Sequence, residues 1–261
     1  MNILDKISAQ KIKEVEIKKS ILPIKILEQS VYFNMPVVSL KDAVIDEKKS
    51  GIIAEFKRRS PSKGLINNTA DVEQTTIGYI EAGASALSVL TDEQFFGGSS
   101  ADLFTARKVN SVPILRKDFI IDEYQIIEAK SIGADAILLI AAILDKQKVK
   151  DFSALAHRLG LQVLLEIHNA EELSVLSENV DMIGVNNRNL KDFKVNIQTS
   201  IGLSEKIPDE FVKISESGIS KAGNIIELKK YGYNGFLMGE NFMKTQNPAK
   251  ACSQFIVQLK K

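Results

Sequence analysis

Two acids and two lysines stand where short apolar runs give out, and their types suit proton transfer. Glu55 and Lys57 are two residues apart at the end of one run, so in a strand both side chains point to one face, about 7 Å apart. Lys117 and Glu166 close two later runs in the same way. Taking such ions out of water costs several kcal/mol each unless they pair or meet a charged ligand, so chance placement is unattractive. Carboxylates and ammoniums around one mouth supply a general base and a general acid, with cationic charge left over for an anionic substrate. Other runs end in Thr91 and Asp92, in Asn186, Asn187 and Arg188, in Ser215, Glu216 and Ser217, and in Gly239 and Glu240. In SESGIS and LMGENF, Gly218 and Gly239 let backbone N–H groups approach a ligand, each expected at the start of a helix, and the two turns together with Lys57 favour a phosphorylated substrate.

The elements that must hold these groups are strands and helices in alternation. Eight runs, at 52–56, 86–90, 112–115, 136–140, 162–167, 182–185, 212–214 and 235–238, are continuously apolar, as parallel strands covered on both faces should be. Between them lie segments with helical spacing, clearest at 122–131, 170–177, 221–231 and 248–259. Eight βα units without a Pro/Ser-rich linker predict an α/β fold, a closed (β/α)8 TIM barrel, whose chemistry sits at the C-terminal ends of its strands. That is where the polar residues fall. Residues 1–50 are read as an N-terminal helical extension capping the barrel and residues 51–261 as the catalytic domain, with no room for a second barrel.

Composition narrows the function. The chain has 261 residues, a formal net charge of +1 and 44% hydrophobic residues, which excludes a disordered chain and gives no basic field for nucleic acid. No apolar stretch approaches the roughly 20 residues of a membrane span, and the N-terminus lacks a signal-peptide core, so a cytoplasmic location is expected. The single Cys252 reads as a packed thiol. His157 and His168 show no metal-ligand spacing, so no metal is expected, and His168 is read as loop structure beside Glu166. Without a P-loop or a GxGxxG after the first run, nucleotide cofactors are not expected either.

The segments IIAEFKRRSPSKG, LSVLTDEQFFGGS, ILRKDFIIDEYQI, VLLEIHN, IGVNNRNL, ISESGI and FLMGENFM, in this order and spacing, resemble those of the indole-3-glycerol phosphate synthase family of tryptophan biosynthesis. The resemblance implies conversion of 1-(2-carboxyphenylamino)-1-deoxyribulose 5-phosphate to indole-3-glycerol phosphate with loss of carbon dioxide and water. No cofactor is implied. The implied partner is this small phosphorylated substrate, with neither nucleic acid nor membrane, and the chain is expected as a monomer or weak homodimer.

By the same resemblance, Lys117 is the general acid for the ribulose carbonyl, in competition with Lys57, which lies near phosphate and carboxylate. Glu166 moves protons in dehydration, and Glu55 and Asn186 position the substrate's hydroxyls and amine. Arg188 meets the anthranilate carboxylate, Ser60 and Ser62 lie on the loop that covers the site, and Phe96, Phe119, Leu138 and Leu190 sandwich the ring. Gly218, Gly239 and Glu240, the last through its backbone N–H, make the phosphate loops, with Glu216 and Ser217 on the same mouth. Burial and a second ammonium would lower the pKa of Lys117 while the glutamates would raise it, and the sequence leaves that balance open. Rival readings are a phosphoribosylanthranilate isomerase, which lacks the KDF motif, a Schiff-base aldolase using Lys117, and a barrel that only binds a phosphorylated metabolite.

Overall fold

The computed structural model describes residues 3–189 and 193–259. Parallel strands β1 (Ile52–Phe56), β4 (Ala86–Leu90), β5 (Ile114–Lys117), β6 (Ala136–Ile140), β7 (Gln162–Ile167), β8 (Met182–Asn186), β9 (Val212–Glu216) and β10 (Tyr233–Met238) close on one another as a barrel, β1 pairing with both β4 and β10. The short strands β2 (Arg59–Ser60) and β3 (Gly64–Leu65) form a hairpin in the loop after β1. Before β1 come α1 (Ile3–Ile21), α2 (Ile24–Leu27) and α3 (Leu40–Ile45). The remaining helices are α4 (Val72–Glu81), α5 (Ser100–Val109), α6 (Glu123–Ser131), α7 (Lys146–Arg158), α8 (Gln198–Leu203), α9 (Ala222–Lys229), α10 (Glu240–Met243) and α11 (Pro248–Leu259). Among the described residues no helix is long and apolar enough to cross a membrane.

Several bounds differ from the sequence reading. The third barrel strand is Ile114–Lys117 rather than 112–115, because Pro113 has no N–H to give the ladder and because Arg116 and Lys117 belong to the strand despite their charge. The seventh likewise runs on through Ser215 and Glu216, and the eighth begins two residues earlier, at Tyr233. The helix expected at 170–177 is a 3-10 turn over Glu171–Val175, with Leu173 and Leu176 bonding three residues back. After Gly218 the chain does not enter a helix at once; α9 starts at Ala222.

Strand alternation makes two apolar layers. Ile52, Ala54 and Phe56 face the helices, while Ile53 belongs to the layer inside the barrel with Leu115, Leu138, Leu164, Met182, Ile214 and Leu237. By the same parity Glu55, Lys117, Glu166, Asn186 and Glu216 extend this inner layer toward the strands' C-terminal ends. The segment before β1 reaches both ends of the barrel. Leu4 and Ile7 of α1 join the inner layer from one end, and Leu40 and Val44 of α3 join it from the other. There the Leu40 N–H donates to Gln162 Oε1 at 2.7 Å.

Burying the charges of this fold requires partners. Arg116, 0% exposed, points outward from β5 to Asp118 Oδ2 (3.0 Å) and to Glu128 Oε2 on α6 (2.6 Å). Lys18 of α1 meets the other oxygen of Glu128 at 2.8 Å. Lys11, also buried, reaches Asp92 (2.9 Å) and Asp118 (3.0 Å), the acids just beyond two barrel strands. An ionic chain therefore docks α1 along α6 and over the barrel mouth.

Candidate active site

A cavity of about 430 Å³ opens at the C-terminal ends of the strands. Its lining contains Glu55, Lys57, Ser60, Ser62, Phe96, Lys117, Phe119, Leu138, Glu166, Asn186, Arg188, Glu216, Ser217, Gly218, Gly239 and Glu240, so the candidates from distant parts of the sequence do meet. Leu190 lies outside the described residues.

At one wall Lys57 Nζ sits 2.6 Å from Glu55 Oε1, Glu55 near the end of β1 and Lys57 just past it. At the centre Lys117 Nζ lies 2.8 Å from Glu166 Oε2 and 3.1 Å from Glu216 Oε2. Asn186 Nδ2 donates to Glu166 Oε1 at 3.2 Å, and His168 Nε2 stands 3.4 Å from the same oxygen. Gly184 makes this cluster fit: a Cβ there would be 2.2 Å from Glu216 Oε1.

One lysine between two carboxylates sets their protonation apart. Burial pushes the Glu216 carboxyl up to about 7, and Lys117 only partly opposes it while Glu166 and Glu55 add to it. Burial acts on Glu166 in the same direction, but Lys117, then His168, outweigh it and hold this carboxyl well below the ordinary range. For Lys117 itself, burial would lower the pKa, yet Glu166, Glu216 and Glu55 prevail and raise it. That decides the balance the sequence left open. His168 also ends raised, because its bond to Glu172 and the charges of Glu166 and Glu172 outweigh burial. The result is an ionised base, a carboxyl able to hold a proton near neutrality, and an ammonium between them, which is the equipment of acid and base catalysis at one centre.

The rest of the cavity divides by polarity. Phe96 and Phe119, ring centroids 5.8 Å apart, form an apolar side with Leu138. Ile3, Leu4 and Ile7 of α1 complete it, a contribution the sequence reading missed. Its signal was present: Leu4, Ile7, Lys11 and Val15 form one buried helical stripe with a lysine inside it. On the polar side Ser217 and Gly218 both have positive φ, +66° and +75°. The Arg188 guanidinium donates to Glu240 Oε2 (3.2 Å) and to the Phe193 carbonyl (3.3 Å). Lys63 of the β2–β3 hairpin is 3.8 Å from Glu240 Oε1, so this carboxylate meets two cations. His157 is away from the cavity, 2.9 Å from Asp181, and Cys252 is buried. Among the described residues no group of three or more His, Cys, Asp or Glu could hold a metal ion.

A family model described as indole-3-glycerol phosphate synthase matches residues 4–255. An indole-3-glycerol phosphate synthase of Bacteroides thetaiotaomicron is 49% identical over 255 residues, 98% of each chain. Indole-3-glycerol phosphate synthase 2 of Ralstonia nicotianae is 42% identical over 251 residues, 95% of this chain and 94% of that one. Solved structures share the fold at low identity. A Pyrococcus furiosus tryptophan synthase complex has a chain with a TM-score of 0.59 at 17% identity, covering 81% of this chain and 98% of that one. Thiamine phosphate pyrophosphorylase of the same organism has a TM-score of 0.60 at 15% identity, covering 85% of this chain and 98% of that one.

Proposed function

The chain belongs to the indole-3-glycerol phosphate synthase family, and from that premise we propose how the groups of the cavity divide its reaction. The activity is that of a carboxy-lyase, EC 4.1.1.48, in tryptophan biosynthesis. The substrate is 1-(2-carboxyphenylamino)-1-deoxyribulose 5-phosphate, and the product indole-3-glycerol phosphate leaves with carbon dioxide and water. The observation that carries the division of roles is the Glu166–Lys117–Glu216 cluster.

Ring closure requires a proton on the ribulose carbonyl oxygen as the ring carbon bearing the carboxylate attacks the carbonyl carbon. Lys117 gives that proton. An ammonium whose pKa is raised is a weak acid, so donation is favoured only if the developing amine is reprotonated, and Glu216 can do this because it holds a proton near neutrality. Loss of carbon dioxide restores electrons to the ring. Dehydration then takes a proton from the carbon between amine and former carbonyl, with Glu166, ionised and aimed by Asn186, as the base, while the C–O bond formed from the carbonyl breaks and its hydroxyl leaves as water with a proton from the reprotonated Lys117.

Lys57, held by Glu55, faces the anionic ends of the substrate, and Arg188 takes its carboxylate. Phe96, Phe119 and Leu138 with α1 enclose the ring, while Ser217, Gly218, Gly239 and the Glu240 backbone receive the phosphate under the loop of Ser60 and Ser62. In this scheme residues 51–261 carry the chemistry and residues 1–50 cap it. The test is to mix purified protein with the substrate and follow indole fluorescence. A folded protein that gives no signal overturns the assignment.

A further inference from the structure

Asn187 neighbours the reacting groups in sequence yet plays no part in the scheme above; it is 2% exposed and does not line the cavity. Its side chain is nonetheless fully engaged. Oδ1 accepts from the Ser200 N–H (3.0 Å) and from Ser200 Oγ (2.9 Å). A backbone N–H can only donate, so the amide has one orientation, with its NH2 on the other side. That NH2 donates to Ser215 Oγ (2.9 Å), to the Glu216 carbonyl (3.1 Å) and to the Ser217 carbonyl (3.2 Å).

The last of these bonds controls a strained turn. Ser217 has φ +66°, a left-handed conformation that side-chain-bearing residues keep only where their surroundings over-determine it. The peptide between Ser217 and Gly218 is planar and trans. Seating its carbonyl on Asn187 therefore turns the Gly218 N–H to the opposite side, and both residues line the cavity. We propose that Asn187 is a positioning residue for the phosphate subsite, holding the Ser217–Gly218 peptide so that the Gly218 N–H faces the substrate's phosphate. This rests on the reading above that the phosphate binds at this turn.

The experiment measures steady-state kinetics and competitive inhibition by inorganic phosphate. Wild-type protein that phosphate does not inhibit would overturn the subsite reading itself. In Asn187→Asp the shape is kept and the donor lost. KM and the phosphate inhibition constant should each rise about tenfold, the scale of one hydrogen bond to a charged group, with kcat within about threefold. Ser217→Gly removes the strain, so adding Asn187→Asp to Ser217→Gly should leave the phosphate constant within about twofold of Ser217→Gly alone. Unchanged phosphate inhibition in Asn187→Asp, or additive losses in the double variant, would overturn the role of Asn187. If Asn187→Asp does not fold, Ser200→Ala serves. It removes one of the two bonds that orient the amide and should raise the phosphate constant roughly threefold, and no rise refutes the proposal.

Discussion

Replacing Lys117 with methionine keeps the length of the side chain and deletes the one ammonium that Glu166 and Glu216 share at 2.8 and 3.1 Å. Both carboxylates are buried, so at pH 8 the variant carries uncompensated charge, a destabilisation of about 3–5 kcal/mol. The site can relieve this by taking up protons. Glu216 is pushed up to about 7 even beside the lysine and rises further without it, and Glu166 loses the main cause of its low value. A carboxyl whose folded pKa lies above its unfolded value of about 4.3 binds protons on folding, so its contribution to stability falls as pH rises between the two. In the wild type Glu166 has the opposite sign: its contribution is present above about pH 4.3 and is lost as pH falls below it. The two proteins should therefore converge in stability toward pH 5 and diverge toward pH 8. Urea unfolding at the two pH values measures the gap, and turnover should fall at least about 10²-fold at both. A stability gap independent of pH, or turnover within tenfold of wild type, would contradict a lysine shared by the two carboxylates.

Lys11→Met leaves Asp92 and Asp118 without their shared cation, although Asp118 keeps Arg116; it should lower stability by about 3 kcal/mol and raise KM as α1 loosens over the ring pocket. A urea midpoint and KM both unchanged would contradict the docking role. Gly184→Ala places a methyl group against Glu216 and should cut turnover on the order of tenfold or more while circular dichroism stays native. Cys252 is fully buried with its thiol pushed up to about 12, so iodoacetamide should label it only after unfolding; rapid labelling of the native protein would show the burial to be wrong.

The barrel was legible because most strands bring apolar residues to both faces, a pattern that survives without knowledge of neighbours. The third and seventh strands were cut short where charged residues belong inside a strand. Arg116 and Lys117 look like a loop in sequence, yet Arg116 meets Asp118 and Glu128 on the next helix and Lys117 meets Glu166 from far along the chain, and those partners make burial tolerable. A longer distance hid the role of Lys11, which besides its neighbour Glu14 meets two acids more than eighty residues away. Parity along β1 was enough to pair Glu55 with Lys57. It could not reveal that Glu216 would share Lys117 with Glu166, because that depends on β9 and β7 standing on either side of β8 and on the space left by Gly184. The Arg188–Glu240 contact escaped for a similar reason: Arg188 follows β8 and Glu240 opens α10 after β10, and only closure of the barrel brings them together.

The segment that reaches both ends of the barrel leaves the ribosome before any strand it docks on. Its docking partners come later: Asp92, Asp118 and Glu128 for α1, then Gln162 and strands β4 and β10 for α3. Strand β1 must wait as well, since its second neighbour is β10. At about 5–20 residues per second, the apolar faces of α1 and α3 spend roughly 10–40 s of synthesis before the last barrel strand emerges. This early-made segment is therefore among the last to find its place, and a nascent chain stalled before β10 would present Leu4, Ile7, Leu40 and Val44 to whatever chaperone is at hand.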